Sequence, residues 1–169
     1  RSSGFQDVDV SITTRELARM IKQAGIDFRK LHDEEADSPL GEYSGAATIF
    51  GATGGVMEAA LRTVYELVTK EELKTIDFTE VRGFEGIKEA TIPVGDIDVK
   101  IAVAHGLGNA RKLMEALKRG EADYHFIEVM ACPGGCIGGG GNPIKNWKKM
   151  DRRIVSVYDT DQSLPIRKS

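Results

Sequence analysis

Glu128-Val129-Met130-Ala131-Cys132-Pro133-Gly134-Gly135-Cys136-Ile137-Gly138-Gly139-Gly140-Gly141-Asn142-Pro143 holds both cysteines of the chain and six of its 19 glycines. An apolar run from Tyr124 to Met130 leads into it, and a segment with helical spacing around Trp147 leads out. A strand that enters a glycine-rich loop and then a helix is where α/β proteins hold anionic groups. The backbone there is unhindered, and the amides at the helix start point outward. Working backward, Ile97, Val99, Ile101 and Val103 keep a period of two, as a strand does. Ala110, Leu113, Met114 and Leu117 follow at helical spacing, with Asn109 as the expected cap and Gly120 as the stop. Residues 99–130 therefore read as a βαβ unit. Ligands of such sheets bind beyond the carboxyl ends of the strands, and Cys132 falls there. The expected class is α/β, a mostly parallel sheet flanked by helices.

A Cys-x-x-x-Cys pair supplies two thiolates, whereas an iron–sulfur cluster normally takes four. Pro133 fixes one turn, and Gly134 and Gly135 let the chain fold tightly with free N–H groups. Spacing alone leaves three readings open for Cys132 and Cys136. They are ligands of a metal or cluster, partners in a local redox disulfide, or two buried structural thiols.

Elsewhere the chain reads as follows. Val8, Val10 and Ile12 alternate with polar residues and predict a short strand. Thr13 and Glu16 form a capping-box pattern, and Leu17, Met20, Ile21 and Ala24 continue it as a helix that Gly25 ends. Residues 29–44, with Pro39 and Gly41, predict a loop in which His32 is solvated. Ser44 to Gly55 carries little bulk, so another surface can come close to its backbone. A helix begins at Val56 with Met57, Leu61, Val64 and Val68 on one stripe. No Lys-Ser/Thr follows the glycines, so this is not a phosphate-binding P-loop, and on pattern alone close packing on the sheet is the better reading. Residues 71–83 predict a short helix and a turn. Lys88–Val94 and Ile97–Ala104 form a hairpin through Gly95-Asp96. Trp147, Met150, Ile154, Val157 and Tyr158 define a last helix. Its basic residues Lys145, Lys148, Lys149, Arg152 and Arg153 read as a solvated face, with an acidic electron carrier as the functional alternative. His105 and His125 read as structural.

At 169 residues, the chain suits one domain over 1–169 with a real core. A net charge of −3 gives no basic excess for nucleic acid. No apolar run approaches the roughly 20 residues of a membrane helix. The start, Arg1-Ser2-Ser3-Gly4, lacks the apolar region of a signal peptide, and both cysteines lie in one motif. A reducing cytoplasm is therefore expected.

Met130 to Cys136 followed by Gly139-Gly140-Gly141 resembles the last of the three cysteine motifs of the iron-only (FeFe) hydrogenases. Phe50 to Arg62 independently resembles the helix start of that family's second catalytic lobe. Thr13 to Ala18 and Leu164 to Ser169 also read like family segments, in the right order. The resemblance implies a four-iron cubane held by four cysteines, one of which bridges to a di-iron unit that makes or splits hydrogen. By position it implies Cys132 as a cubane ligand, Cys136 as the bridging and catalytic cysteine, and Met130 as soft packing against the di-iron unit. Pro133, Gly134 and Gly135 would wrap the centre, while Phe50, Gly54 and Gly55 would line its cavity.

Two of the family's cysteine motifs are absent from these 169 residues, as are its proton-relay acid and cysteine. Asn142 stands where a glutamine is typical. The chain is accordingly expected to be a second lobe, apparently a fragment, which needs the N-terminal lobe of the same enzyme and is inactive alone. Its redox partner would be a ferredoxin or a nicotinamide-linked subunit. Two rival relatives are a hydrogenase-like iron–sulfur assembly factor without a di-iron site and a sensory, low-turnover hydrogenase.

Overall fold

The alternation at residues 97–103 produces the middle strand of the sheet. The computed structural model describes residues 4–35, 37, 41–71, 77–143 and 146–168. Within it, β1 (Ile87–Val94) and β2 (Ile97–His105) form an antiparallel hairpin, with Val94 opposite Ile97. Strand β3 (Phe126–Met130) runs parallel to β2 on its other side, with His105 opposite Met130. The expected α/β layering is present, and so are the hairpin and the βαβ unit. The sheet is mixed rather than mostly parallel. One of its two ladders is antiparallel, because a two-residue turn at Gly95-Asp96 leaves no length for a crossover.

Ile101 to His105 are all buried, so both faces of β2 are covered. Ile101 and Val103 point into a cluster with Ile92, Val94, Val81 and the Met57 and Leu61 side chains of a long helix, Gly55–Thr69. Ala102 and Ala104 point the other way, against Leu113 of the crossover helix Leu107–Lys118. A third cluster joins a short helix, Gly45–Ile49, to the last helix, Trp147–Ser163, through Ala46, Ile49, Ala52, Ala59 and Tyr158. In chain order the helices are α1 (Thr14–Gln23), α2 (Gly45–Ile49), α3 (Gly55–Thr69), α4 (Leu107–Lys118) and α5 (Trp147–Ser163).

Several expectations are corrected. Val8, Val10 and Ile12 form no strand and are exposed, because no described sheet edge reaches them. The capping box of α1 is present, with Thr13 N–H on Glu16 at 2.7 Å and Glu16 N–H on Thr13 at 3.2 Å. Yet no residue of α1 is buried, so its apolar stripe has no cover among the described residues. On α3, Met57 and Leu61 are buried but Val64 and Val68 are largely exposed. The buried face instead includes Glu58 and Arg62. Helix α4 starts earlier than expected, after Gly106, and Asn109 lies inside it, where its amide donates to the His105 carbonyl at 2.9 Å. His125 precedes β3 and accepts the Lys100 N–H at 3.0 Å. Of the helix and turn expected over 71–83, residues 72–76 lie outside the described residues, and Thr79–Val81 is a 3-10 turn. Lys145 also lies outside them.

Burial of Glu58 and Arg62 is offset by a charge-balanced network. Arg62 grips Asp161 of α5 with two nitrogens, at 2.8 and 2.9 Å, and Glu58 at 2.8 Å. Arg82 reaches Glu58 and Asp77, Arg167 reaches Asp77 and Asp161, and Tyr158 donates to Glu58. The Arg82 guanidinium also stacks over the Tyr158 ring at 4.0 Å. Burial pushes the Asp161 carboxyl up, but the bonds from Arg62 and Arg167 outweigh it and hold the group below the usual carboxylate range. Removing one partner strands charge in the interior. Arg62→Met is expected to cost about 3–5 kcal/mol of unfolding free energy, measured by denaturant titration. A loss under about 1 kcal/mol, the value of a surface pair, would show the network to be dispensable.

Candidate metal centre

The cysteine loop begins where β3 ends. The Met130 carbonyl accepts the Gly106 N–H at 2.8 Å, which pins the strand end to the turn before α4. The loop then closes on itself through Gly135 N–H to Cys132 O at 3.0 Å and Gly139 N–H to Cys136 O at 2.9 Å. Cys136 to Gly138 forms a 3-10 turn. The Asn142 amide donates to the Cys136 and Gly139 carbonyls at 3.0 and 3.2 Å, and Arg153 of α5 donates to the Ile137 carbonyl at 2.7 Å. One member of the basic run is thus a loop clamp rather than a solvated charge.

Residues 50–55 lie against this loop, as the two low-bulk stretches suggested. Thr53 N–H donates to Gly134 O at 3.1 Å, and Ile137 N–H donates to Gly51 O at 3.0 Å. A methyl group on Gly135 would sit 2.7 Å from both Gly51 O and Thr53 N, and the backbone φ there is +95°. Only glycine fits this crossing. Phe50 and Cys136 each lie one residue from the Gly51–Ile137 bond, and both are exposed. Pro133 is also exposed, Met130 and Cys132 are half-buried, and Gly134 and Gly135 are buried.

Gly54 and Gly55 start α3 in close packing. Both are buried, and a methyl group at either would fall within 2 Å of a carbonyl oxygen, Val81 O or Ile49 O. Their N–H groups are also engaged, Gly54 by Glu128 and Gly55 by Ala52 O. Close packing, the reading that pattern alone favours, accounts for the pair.

Sequence reasoning read His105 as structural, as its hydrogen bonds show, and missed Glu128 and Lys88. His105 Nδ1 accepts the Gly134 N–H at 3.2 Å, so Nε2–H donates to Phe84 O at 3.1 Å. Glu128 lies within the opening motif and is buried. Its two oxygens accept Gly54 N–H and Met57 N–H, each at 2.7 Å. Lys88 is buried with its ammonium on Gly83 O at 2.9 Å and Thr53 O at 3.4 Å. Glu128 had one available signal, a lone charge inside the otherwise apolar strand β3, whereas Lys88 stands beside Glu89 in β1 and has none. Burial raises the Glu128 carboxyl against the pull of the two amides. Burial lowers Lys88 to about 8, with Glu128 and Glu85 opposing.

Cys132 and Cys136 are both free thiols, so the redox disulfide is not formed. Among the described residues no group of three or more His, Cys, Asp or Glu is placed to hold a metal ion. Two thiols with an open side fit a cluster as half of a four-thiolate set. Gly139 packs beside the loop, where an added methyl would stand 3.0 Å from Cys136 O.

The fold and loop thus define an α/β scaffold presenting two free cysteines beyond a strand end. The family of the iron only hydrogenase large subunit, C-terminal domain, matches residues 1–140, and this chain belongs to it. It is 55% identical over 169 residues to the NADP-reducing hydrogenase subunit HndD of Solidesulfovibrio fructosivorans, covering 99% of this chain and 29% of that protein. It is also 55% identical to the periplasmic Fe hydrogenase large subunit of Nitratidesulfovibrio vulgaris, over 94% of this chain and 38% of that one. A variant of FeFe-hydrogenase HydA1 from Chlamydomonas reinhardtii superimposes with a TM-score of 0.70 at 39% identity, covering 95% of this chain and 48% of that chain. The cytosolic Fe-S cluster assembly factor narfl of Xenopus tropicalis is more distant, at 30% identity over 92% of this chain and 34% of that protein. The chain spans about a third of the length of these curated relatives.

Lys88 gives a test of the buried wall. The folded protein releases this proton from about pH 8, whereas the unfolded chain holds it to 10.5. Between those values the unfolded state binds more protons, so Lys88 makes stability rise with pH. Lys88→Met is expected to flatten that rise, by up to about 3 kcal/mol, in denaturant midpoints taken from pH 7 to 10.5. Parallel curves for both proteins would contradict the burial of the charge.

Proposed function

We propose that this chain is one lobe, residues 1–169, of an iron-only hydrogenase catalytic domain, and that it supplies two of the four thiolates of the metal centre. The observation that carries this is the Cys132–Cys136 loop, stitched backbone to backbone against residues 50–55 in a chain far closer in identity to hydrogenases than to assembly factors. Cys132 would be a cubane ligand and Cys136 the ligand shared with the di-iron unit. When bound, that centre supplies the redox chemistry interconverting protons and dihydrogen.

The chain's own residues hold, shape and seal. The exposed Phe50 and the half-buried Met130 would give apolar, polarisable surface at the centre once the other lobe covers it. Pro133, Gly134 and Gly135 fix the loop at the backbone level. Gly54 and Gly55 act one layer behind, by letting α3 start close to the wall.

The remaining thiolates would come from the N-terminal lobe of the same enzyme. The exposed apolar residues Val8, Val10, Leu17, Met20 and Phe28 support a large surface for it to cover. Electrons would arrive from a ferredoxin or nicotinamide-linked subunit, in line with the name of one relative. Two free thiols suit a reducing compartment, and none of the described helices is long and apolar enough to cross a membrane.

Cys136→Ser in the complete enzyme is expected to abolish hydrogen turnover while the protein stays folded; retained turnover would end the bridging assignment. Met130→Leu, a near volume-conserving change worth under about 1.5 kcal/mol in stability, is expected to alter turnover with cubane iron intact. Loss of the cubane in that variant would make Met130 a support of the loop instead.

A further inference from the structure

Glu128 is 5% exposed and its carboxylate is fully occupied by protein amides. The N-cap residue of helix α3, Gly54, has no side chain to cap it. The first-turn N–H groups of a helix carry partial positive charge and need acceptors. Glu128 provides two of them from another element, more than 70 residues away in sequence. Its Oε1 takes Gly54 N–H and its Oε2 takes Met57 N–H, so both oxygens must be acceptors. On the same turn, the Lys88 ammonium grips Thr53 O. A carboxylate from β3 and a cation from β1 thus hold residues 53–57.

That turn is also the wall of the cysteine loop, through Thr53 N–H to Gly134 O and Ile137 N–H to Gly51 O. Glu128 stands on β3 only four residues before Cys132. The segment carrying the thiols and the wall opposite them are therefore tied at two points, Glu128 at the strand and the loop bonds beyond it. We propose that Glu128 is a positioning residue for the metal centre: by clamping Gly54 and Met57 it sets where the Cys132–Cys136 loop stands relative to Phe50. This rests on the reading of the site given above. Glu128 acts through backbone and need not touch the reacting atoms.

Glu128→Gln tests it with little change of volume, because glutamine accepts at one oxygen only and turns an N–H toward the second amide. In the full-length enzyme prepared without cluster, amide exchange at residues 54–57 is expected to rise by about tenfold or more, the factor for one charge-assisted hydrogen bond. Alkylation of Cys132 and Cys136 is expected to quicken, while exchange in β1 and the second half of α5 stays unchanged. In loaded enzyme, kcat is expected to fall with KM for the electron carrier unaltered. Glu128→Asp, which keeps the charge but shortens the reach, is expected to move the same readouts in the same direction if the glutamine variant fails to fold.

Unchanged exchange at 54–57 would overturn the clamp. Raised exchange with unchanged thiol reactivity and kcat would overturn the positioning role and leave only a helix cap. Failure of the wild-type enzyme to bind iron at Cys132 and Cys136 would instead sink the functional reading, and the exchange data would still decide the clamp.

Discussion

Two glycine-rich backbones meet at Gly135, where a single methyl group would overlap Gly51 O and Thr53 N. This crossing holds the thiol loop to the start of α3 with main-chain hydrogen bonds rather than with side chains. Side chains hop between rotamers, but a hydrogen-bonded backbone in a buried setting does not. A loop made this way presents Cys132 and Cys136 from a backbone held in one geometry. Such pre-organisation is what ligand placement requires. The surrounding structure maintains the crossing. Strand β2 is covered on both faces, His105 ties its end to Gly134, and Arg153 of α5 ties down Ile137.

The placement of charge follows from the same constraint. The wall behind the loop is buried, and its main-chain groups draw on charged side chains from the sheet. Glu128 and Lys88 supply them for residues 53–57. Farther back, three guanidiniums and three carboxylates neutralise one another between α3, α5, Arg167 and the 77–82 segment. Buried networks of this kind add little net stability compared with apolar packing, but removing any one member is costly. They fix which helix faces which.

Much of the frame was legible in the sequence. The hairpin at Gly95-Asp96, the βαβ unit over residues 99–130 and the capping box at Thr13 depend on local patterns, and each is where the pattern put it. The cysteine motif and the Phe50–Arg62 segment were legible because their order is specific. The roles of Glu58, Arg62, Glu128 and Lys88 were not. A Glu–Arg pair four residues apart looks like an exposed helix pair, and only packing of α2 and α5 around it shows it buried. Glu128 and His105 act on partners 21 to 74 residues distant, and no period or spacing encodes such contacts. The strand expected at Val8–Ile12 failed for the converse reason, since alternation specifies a strand only where an edge exists to pair with it.

The most direct measurement is an anaerobic infrared spectrum of the full native protein, matured and cluster-replete. A centre of the proposed kind gives bands from metal-bound carbon monoxide and cyanide. Their presence is the predicted result. A protein that carries its iron–sulfur complement but shows no such bands would contradict the account, and would make this chain part of an iron–sulfur protein without a di-iron site.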